Sequence, residues 1–402
     1  MPTVIAFGAG NVGRGFVGDL FAGAGWDVVF LDVAPALVDA LHADRSYIHE
    51  TVSTEGVVPR TITGVDAAYS SDQEAVDRLL TDADFITTSV GARILPLIAP
   101  ALAHGLSARW VAGRGPIDIL LCENLHGAAG IVRDLLLEHL EGEDATRLDE
   151  RLGLAETSIG RMIPAAPPEP GQPATLIRVE PYRVLPYDAN ALKGPEPQVE
   201  GLFPVRDVPF AFYSDRKLFL HNMGHCMCAY LGERRGYEYI WHAIGDPEIR
   251  ALVRAAMTQS ALALASRYGA DPAALARHID DLIARFGNRA LGDTVERVGR
   301  DPIRKLAPED RILGAYRLAA EQGSPHSYLS LAAAVGTARL AAESEWSDER
   351  ARAHIEDALF GDADESEDRA LYRAQLAALE KGFDWAAQTA LLDGHARRVG
   401  AI

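Results

Sequence analysis

The sequence predicts an α/β protein whose parallel-sheet half is followed by a mostly α-helical half. Three observations predict it. Strand-like and helix-like segments alternate through residues 3–140, and a glycine-rich turn joins the first strand to the first helix. From Lys217 onward the apolar periodicity is helical, with strands nearly absent. A chain of 402 residues is long for one core. The expected division is residues 1–207 and 208–402.

Residues 3–7 are a short apolar run that reads as a buried parallel strand. It passes directly into Gly8-Ala9-Gly10-Asn11-Val12-Gly13, which opens a helix reaching about Phe21 and ended by Gly23 and Gly25. Residues 26–31 form a second strand closed by Asp32. Strand, glycine turn, helix, strand and acid in that order are the setting a dinucleotide fingerprint requires. Gly8 makes the tight turn, Gly10 lets backbone approach a pyrophosphate, and Gly13 lets helix and strand pack closely. The helix N-terminus stabilises phosphate charge. Asp32 accepts hydrogen bonds from ribose hydroxyls and repels a 2′-phosphate, so NAD is expected as cofactor. The first half therefore reads as a Rossmann-type dinucleotide-binding domain. Arg14 is either a phosphate ligand or an ordinary first-turn cation.

Residues 83–91 form another strand ending in small residues, and residues 117–122 a further one ending at Glu123 and Asn124. Ligands of doubly wound sheets gather at the carboxyl ends of strands, which brings Val90, Gly91, Glu123 and Asn124 to the crevice. By position alone Asn124 is better read as the N-cap of a helix over 127–140. A proline-rich passage follows, with a loop or hinge at 164–171. Residues 175–179 and 182–185 look like short strands extending the sheet with antiparallel members.

In the second half, helices are expected over 249–268, 272–285, 308–322, 328–343 and 366–379, the last with Ser366 as N-cap. The stretch from Asp215 to Met227 breaks local rules, because Asn222 and Gly224 are poor interior helix residues. At about 100° per residue, with Lys217 at zero, Asn222 falls near 140°, His225 near 80° and His221 near 40°. An amine, an amide and imidazoles thus share one side. Cys226 points about 180° from Lys217, so His221, His225, Cys226 and Cys228 make no tetrahedral metal set, and no metal is expected. Residues 285–306 carry Arg285, Arg289, Arg297, Arg300, Arg304 and Lys305. They read equally as an anion-binding surface or as a solvated helix face paired with Asp293, Glu296 and Asp301.

The formal charge of −18 argues against nucleic acid or an anionic membrane as partner. No apolar run reaches 18 residues and no signal segment opens the chain, so a membrane span is not expected. Three cysteines (Cys122, Cys226, Cys228) fit a reducing, cytoplasmic setting.

With these residues in view, the chain resembles the polyol-specific long-chain (mannitol) dehydrogenase family, in its mannitol-1-phosphate 5-dehydrogenase branch. The resemblance rests on Phe7-Gly8-Ala9-Gly10-Asn11-Val12-Gly13-Arg14-Gly15, Thr87-Thr88-Ser89-Val90-Gly91 and Cys122-Glu123-Asn124. It rests equally on Arg216-Lys217-Leu218-Phe219, Asn222-x2-His225-x4-Tyr230-Leu231-Gly232 and Glu296-Arg297-Val298-Gly299-Arg300-x-Pro302-x-Arg304-Lys305-Leu306. It implies metal-independent hydride transfer between NAD and a sugar alcohol phosphate, with Lys217 as general base. Asn222 and Asn124 become donors to the developing alkoxide, which reverses the cap reading of Asn124. His225 would orient substrate hydroxyls and Arg297 would contact substrate. Arg300, Arg304 and Lys305 are the implied phosphate contacts. The chain departs from the family pattern at Arg289, at Gly314-Ala315-Tyr316 and at His221, a second cationisable group beside Lys217 expected either to lower the lysine's pKa or to reshape the pocket. The rival expectations are a dehydrogenase or reductase for a free polyol or a hexuronate, and a non-catalytic NADH sensor.

Overall fold

The computed structural model of the protein describes residues 1–164, 170–343, 345–361, 365–382 and 384–398. The chain divides into two compact units, Met1–Ser214 and Asp215–Ile402.

The first unit is the expected α/β layer structure. Its main sheet contains β1 (Thr3–Phe7), β2 (Asp27–Asp32), β5 (Val65–Tyr69), β6 (Phe85–Thr88), β7 (Ile117–Leu121) and β8 (Leu152–Glu156). All its pairings are parallel, in the order β5-β2-β1-β6-β7-β8. The order reverses at β1, where the chain leaves for the glycine turn. That switch point is where open α/β sheets hold their ligands. The continuous apolar run of β1 follows from burial on both faces. Val4 and Ala6 pack with Phe16, Phe21 and Phe30, while Ile5 and Phe7 pack with Ile86, Leu102 and Ile119. Each such large side chain contributes about 1.5–3 kcal/mol by leaving water.

Two smaller sheets correct the strand expectation for the proline-rich passage. β3 (Ser46–Ser53) and β4 (Gly56–Thr63) form an antiparallel hairpin, and β9 (Ile177–Val179) pairs parallel to β3. β10 (Leu185–Asp188) pairs parallel with β11 (Leu202–Val205). β9 does not extend the main sheet, and β10 meets it only through the single antiparallel bridge Tyr187–Thr157, one residue beyond β8. β9 pairs instead with the hairpin strand β3, through His49–Thr51. Of the expected loop at 164–171, residues 165–169 lie outside the described residues.

The helix after the glycine turn opens as a π-helix, Gly13–Gly18, and continues as Asp19–Gly23. A π-turn leaves carbonyls without their usual partners four residues on. The buried Arg161 answers one of them, donating to Gly15 O at 2.9 Å and to Asp19 Oδ2 at 2.7 Å.

Among its described residues the second unit has no strand longer than the single bridge Tyr239–Thr294. Ser366 caps Glu367–Glu380 as expected, through Arg369 N (3.1 Å), and Asp246 and Asp271 do the same for Pro247–Tyr268 and Pro272–Phe286 through Glu248 N (2.8 Å) and Ala273 N (2.9 Å). The helix expected from residue 308 begins later, as Leu313–Glu321. Asp310 Oδ1 takes the Arg311 amide at 2.6 Å, which holds the preceding residues in a turn. Met223–Arg234 is central, and Gly224 lets it approach Pro247–Tyr268: a Cβ there would lie 2.6 Å from Met257 Sδ. No helix among the described residues is long and apolar enough to cross a membrane.

Candidate functional site

In the first unit the three fingerprint glycines divide by what surrounds them. Gly8 has φ +101°, and a Cβ on it would lie 2.6 Å from Ser89 O. A Cβ on Gly13 would lie 2.0 Å from Gly8 O, whereas one on Gly10 meets nothing within 4 Å. Packing therefore requires Gly8 and Gly13, and Gly10 leaves open space beside bare backbone. Ala9 is buried, Asn11 exposed and Val12 half-buried. Asp32, at the end of β2, accepts from Ala9 N at 2.7 Å and from Val33 and Ala34 N at 2.7 and 3.0 Å. It locks the glycine loop to the second strand beside which a ribose would lie. This arrangement fits a dinucleotide pyrophosphate and ribose.

Arg14 takes neither expected role. It is buried, donates through Nε to Thr175 O at 3.1 Å and through Nη1 to Ala9 O, and so braces the glycine loop from behind. Burial is the main cause lowering its pKa. The amides of Val90 and Gly91 donate to the buried Glu123 carboxylate at 3.0 and 2.7 Å. Sequence reasoning placed Glu123 at a strand end without this job; an acid in a Cys-Glu-Asn run at the next strand's terminus was the available signal. Asn124 is exposed, three residues beyond β7. The following helix, Ala128–Leu137, has Gly127 at its N-cap position, with φ 66°. The N-cap position of that helix is therefore not Asn124's.

In the second unit the stretch from Lys217 to Asn222 is itself a π-helix, entered from Ala211–Arg216 and continued by Met223–Arg234. Met223 N donates to Leu218 O, five residues back. Such a turn holds one residue more than an α-turn, so everything beyond it lags by about 100°. Asn222 then moves from about 140° to about 40° from Lys217, and His225 from about 80° to about −20°. The bulge gathers the three side chains into a narrower arc than a regular helix allows. Ser260 Oγ donates to the Phe219 carbonyl inside the bulge at 2.9 Å.

His225 stacks on Phe286 at 4.8 Å with an interplanar angle of 10°, and its Nε2 lies 3.1 Å from Asp293 Oδ2. Arg297 Nε donates to the other oxygen of Asp293 at 2.7 Å. Burial raises the pKa of Asp293, but His225 and Arg297 more than offset this, so its carboxyl lies below the usual range. Lys217 is half-buried, and its pKa is pushed down to about 8, first by burial and then by the Arg311 cation. His221 is buried beside Phe286 and lies well below the ordinary histidine value, because of burial first and Arg285 next. It is therefore neutral, and the expectation that its charge depresses the lysine is corrected: that charge is Arg311's.

The basic cluster divides. Arg300 is exposed, and Arg304 is exposed while donating to Asp301 Oδ2 at 2.6 Å and Asp310 Oδ2 at 3.3 Å. Arg297 and Arg304 thus have the aspartate partners that the solvated-face reading named. Lys305 is turned inward, with its buried ammonium donating to Val298 O at 2.5 Å. Asp310 and Arg311 escaped sequence reasoning because they lie just beyond the basic run. Among the described residues, no group of three or more His, Cys, Asp or Glu side chains is arranged to hold a metal ion.

Comparison with known proteins gives concordant results. The family model described as the mannitol dehydrogenase Rossmann domain matches residues 2–201, and that of the mannitol dehydrogenase C-terminal domain matches residues 210–377. A mannitol-1-phosphate 5-dehydrogenase of Brevibacillus brevis is 35% identical over 334 residues, 83% of this chain and 85% of the relative. Two solved structures share the fold. A mannitol 2-dehydrogenase of Pseudomonas fluorescens in ternary complex with NAD and D-mannitol has TM-score 0.72 at 18% identity, covering 98% of this chain and 94% of the other. A substrate-free D-sorbitol dehydrogenase has TM-score 0.73 at 17% identity, covering 99% and 94%.

Proposed function

Since this chain belongs to the mannitol dehydrogenase family, we propose that it oxidises D-mannitol 1-phosphate to D-fructose 6-phosphate, reversibly, with NAD and Lys217 as general base. The observation that carries the reading is Lys217 on a π-bulge, its pKa lowered to about 8. An ammonium near its ordinary value near 10.4 would hold its proton and accept none.

When bound, the dinucleotide supplies the hydride acceptor, at the Gly8–Gly13 loop and Asp32. Lys217 takes the hydroxyl proton as the carbinol carbon loses hydride, so the C–O bond gains its second bond as the O–H and C–H bonds break. Asn222 donates a hydrogen bond to the developing alkoxide, the role the family resemblance also implies for Asn124. His225, held flat by Phe286 and backed by Asp293, orients a neighbouring hydroxyl. Arg297 supports Asp293 and reaches the substrate from the same helix turn, and Arg300 and Arg304 are the proposed phosphate contacts. The inward hydrogen bond of Lys305 fits a prop for their turn better than a phosphate contact.

The aspartate pairing of Arg297 and Arg304 favours a second reading, a non-phosphorylated polyol or hexuronate as substrate. A spectrophotometric screen of NADH oxidation decides, with fructose 6-phosphate, fructose, fructuronate and tagaturonate compared side by side. Turnover of fructose 6-phosphate at a kcat/KM well above the others is expected; preference for any of the other three overturns the phosphate assignment.

A further inference from the structure

We propose that Glu123 is a positioning residue, whose buried carboxylate fixes the bare backbone of Val90 and Gly91 against which the nicotinamide half of the dinucleotide lies. The inference rests on the reading of the first unit as an NAD site and names the side chain that shapes its nicotinamide end.

The order of the main sheet gives a bound dinucleotide its direction. Asp32, at the end of β2, marks the adenosine ribose, and the glycine turn after β1 marks the pyrophosphate. β2 lies on one side of β1, and β6 and β7 lie on the other. The carboxyl ends of β6 and β7 are therefore left for the second nucleoside. Just beyond the paired strands Cys122 N still reaches Thr88 O at 2.8 Å, and the chain after β6 then turns away through Gly91, at φ +90°. The amides of Val90 and Gly91 must find acceptors outside a regular ladder. Glu123 supplies both. Its Oε1 accepts from Val90 N at 3.0 Å and its Oε2 from Gly91 N at 2.7 Å. The residue is only 4% exposed, so these charge-assisted bonds are shielded from water.

The clamped segment is held at both ends and bare in between. Ser89 N donates to Phe7 O at 2.8 Å, and Ser89 O sits where a Cβ on Gly8 would come within 2.6 Å, so the residue before the clamp is pinned to the glycine turn. Ile94 N donates to Gly91 O at 2.9 Å and closes the turn that follows. Gly91 itself is exposed, and a Cβ on it would meet nothing within 4 Å. Gly10 has the same open space at the pyrophosphate position. A ligand can thus lie against main chain at Gly91 as well, and the carboxylate behind that main chain sets where it stands. Two oxygens on one rigid group define two amides at once, whereas an apolar side chain would fill the volume and leave both unpaired. Hydride transfer is sensitive to such placement, because an error of about 1 Å can slow a reaction roughly a hundredfold.

The test compares NADH with ADP, which keeps the adenosine and both phosphates and lacks the nicotinamide riboside. Both are titrated calorimetrically into the full-length protein. Glu123→Gln keeps the volume and one acceptor but turns an NH2 group toward the other amide. It is expected to raise the Kd of NADH about tenfold and that of ADP by less than about twofold. The single-turnover rate of ketone reduction at saturating NADH is expected to fall at least about tenfold in the same variant. Should Glu123→Gln not hold its fold, Glu123→Asp withdraws both acceptors by one methylene and carries the same expectation. A loss shared equally by NADH and ADP, no loss for either, or an unchanged single-turnover rate overturns the positioning role and leaves the cofactor assignment standing. Wild-type protein that binds neither ligand would overturn the cofactor reading, and the inference with it.

Discussion

At the scale of single residues, Lys217 sets the sign of the pH response. Its pKa is lowered to about 8, so the neutral amine that accepts a proton becomes dominant above that value. Oxidation of the alcohol is therefore expected to rise with pH through about 8 and level off, whereas ketone reduction, which needs the ammonium as donor, falls through the same range. Steady-state rates in both directions against pH would show mirror-image profiles. Lys217→Ala is expected to lose roughly 10²–10⁴ in kcat with NADH affinity unchanged by fluorescence titration. Loss of NADH binding would mean the lysine is structural. The residue types were legible in the sequence, because an amine, an amide and an imidazole near a glycine are a poor way to build a buried helix. The carboxylate behind His225 was not. Asp293 stands 68 residues downstream of His225, and only tertiary folding brings the two together.

At the scale of elements, the two π-turns mark what sequence periodicity could and could not reveal. A rotation of about 100° per residue put Asn222 at the edge of the side it shares with Lys217, near 140°, and the inserted residue of the bulge brings it closer. Nothing in Lys217-Leu218-Phe219-Leu220-His221-Asn222 announces that insertion, since it is stabilised from outside by Ser260 on Phe219 O and by the turn at Gly314. By contrast the steric jobs read for Gly8 and Gly13 came from local chemistry, because a Cβ on either meets nearby atoms, whereas one on Gly10 meets none within 4 Å. That difference gives a paired test. Gly10→Ala is expected to leave stability within about 0.5 kcal/mol while weakening NADH binding, since its Cβ enters open space. Gly13→Ala forces a Cβ to within 2.0 Å of Gly8 O and is expected to lower Tm markedly. Thermal denaturation and NADH titration of both variants would separate the roles; equal losses of stability would refute the distinction. In the same way Gly314→Ala, pressed against Phe219 and Glu309 O, is expected to cost about 1–3 kcal/mol and to lower kcat by disturbing the bulge.

For the whole molecule, the charge balance poses the question the local site must answer. With 57 acidic and 39 basic side chains the chain carries a formal charge of −18, a field that repels a sugar phosphate at long range. The repulsion is summed over tens of ångströms, whereas the contacts proposed for Arg300 and Arg304 act over a few. Raising ionic strength from about 0.01 to 0.15 M shortens the Debye length from about 30 to 8 Å. That range screens the distant repulsion and leaves close ion contacts largely intact. KM for fructose 6-phosphate is therefore expected to fall over that interval, while KM for fructose, which carries no charge, stays level. Arg304 gives the local half of the same argument. Its partners Asp301 and Asp310 leave it exposed, so an arriving phosphate competes for a guanidinium already held in place. Arg304→Ala is expected to raise KM for the phosphorylated substrate roughly ten- to hundredfold, the worth of a charged hydrogen bond, and to leave fructose nearly unaffected. Equal effects on both substrates, or a KM for fructose 6-phosphate indifferent to salt, would place the phosphate elsewhere and favour a free polyol or hexuronate as the substrate.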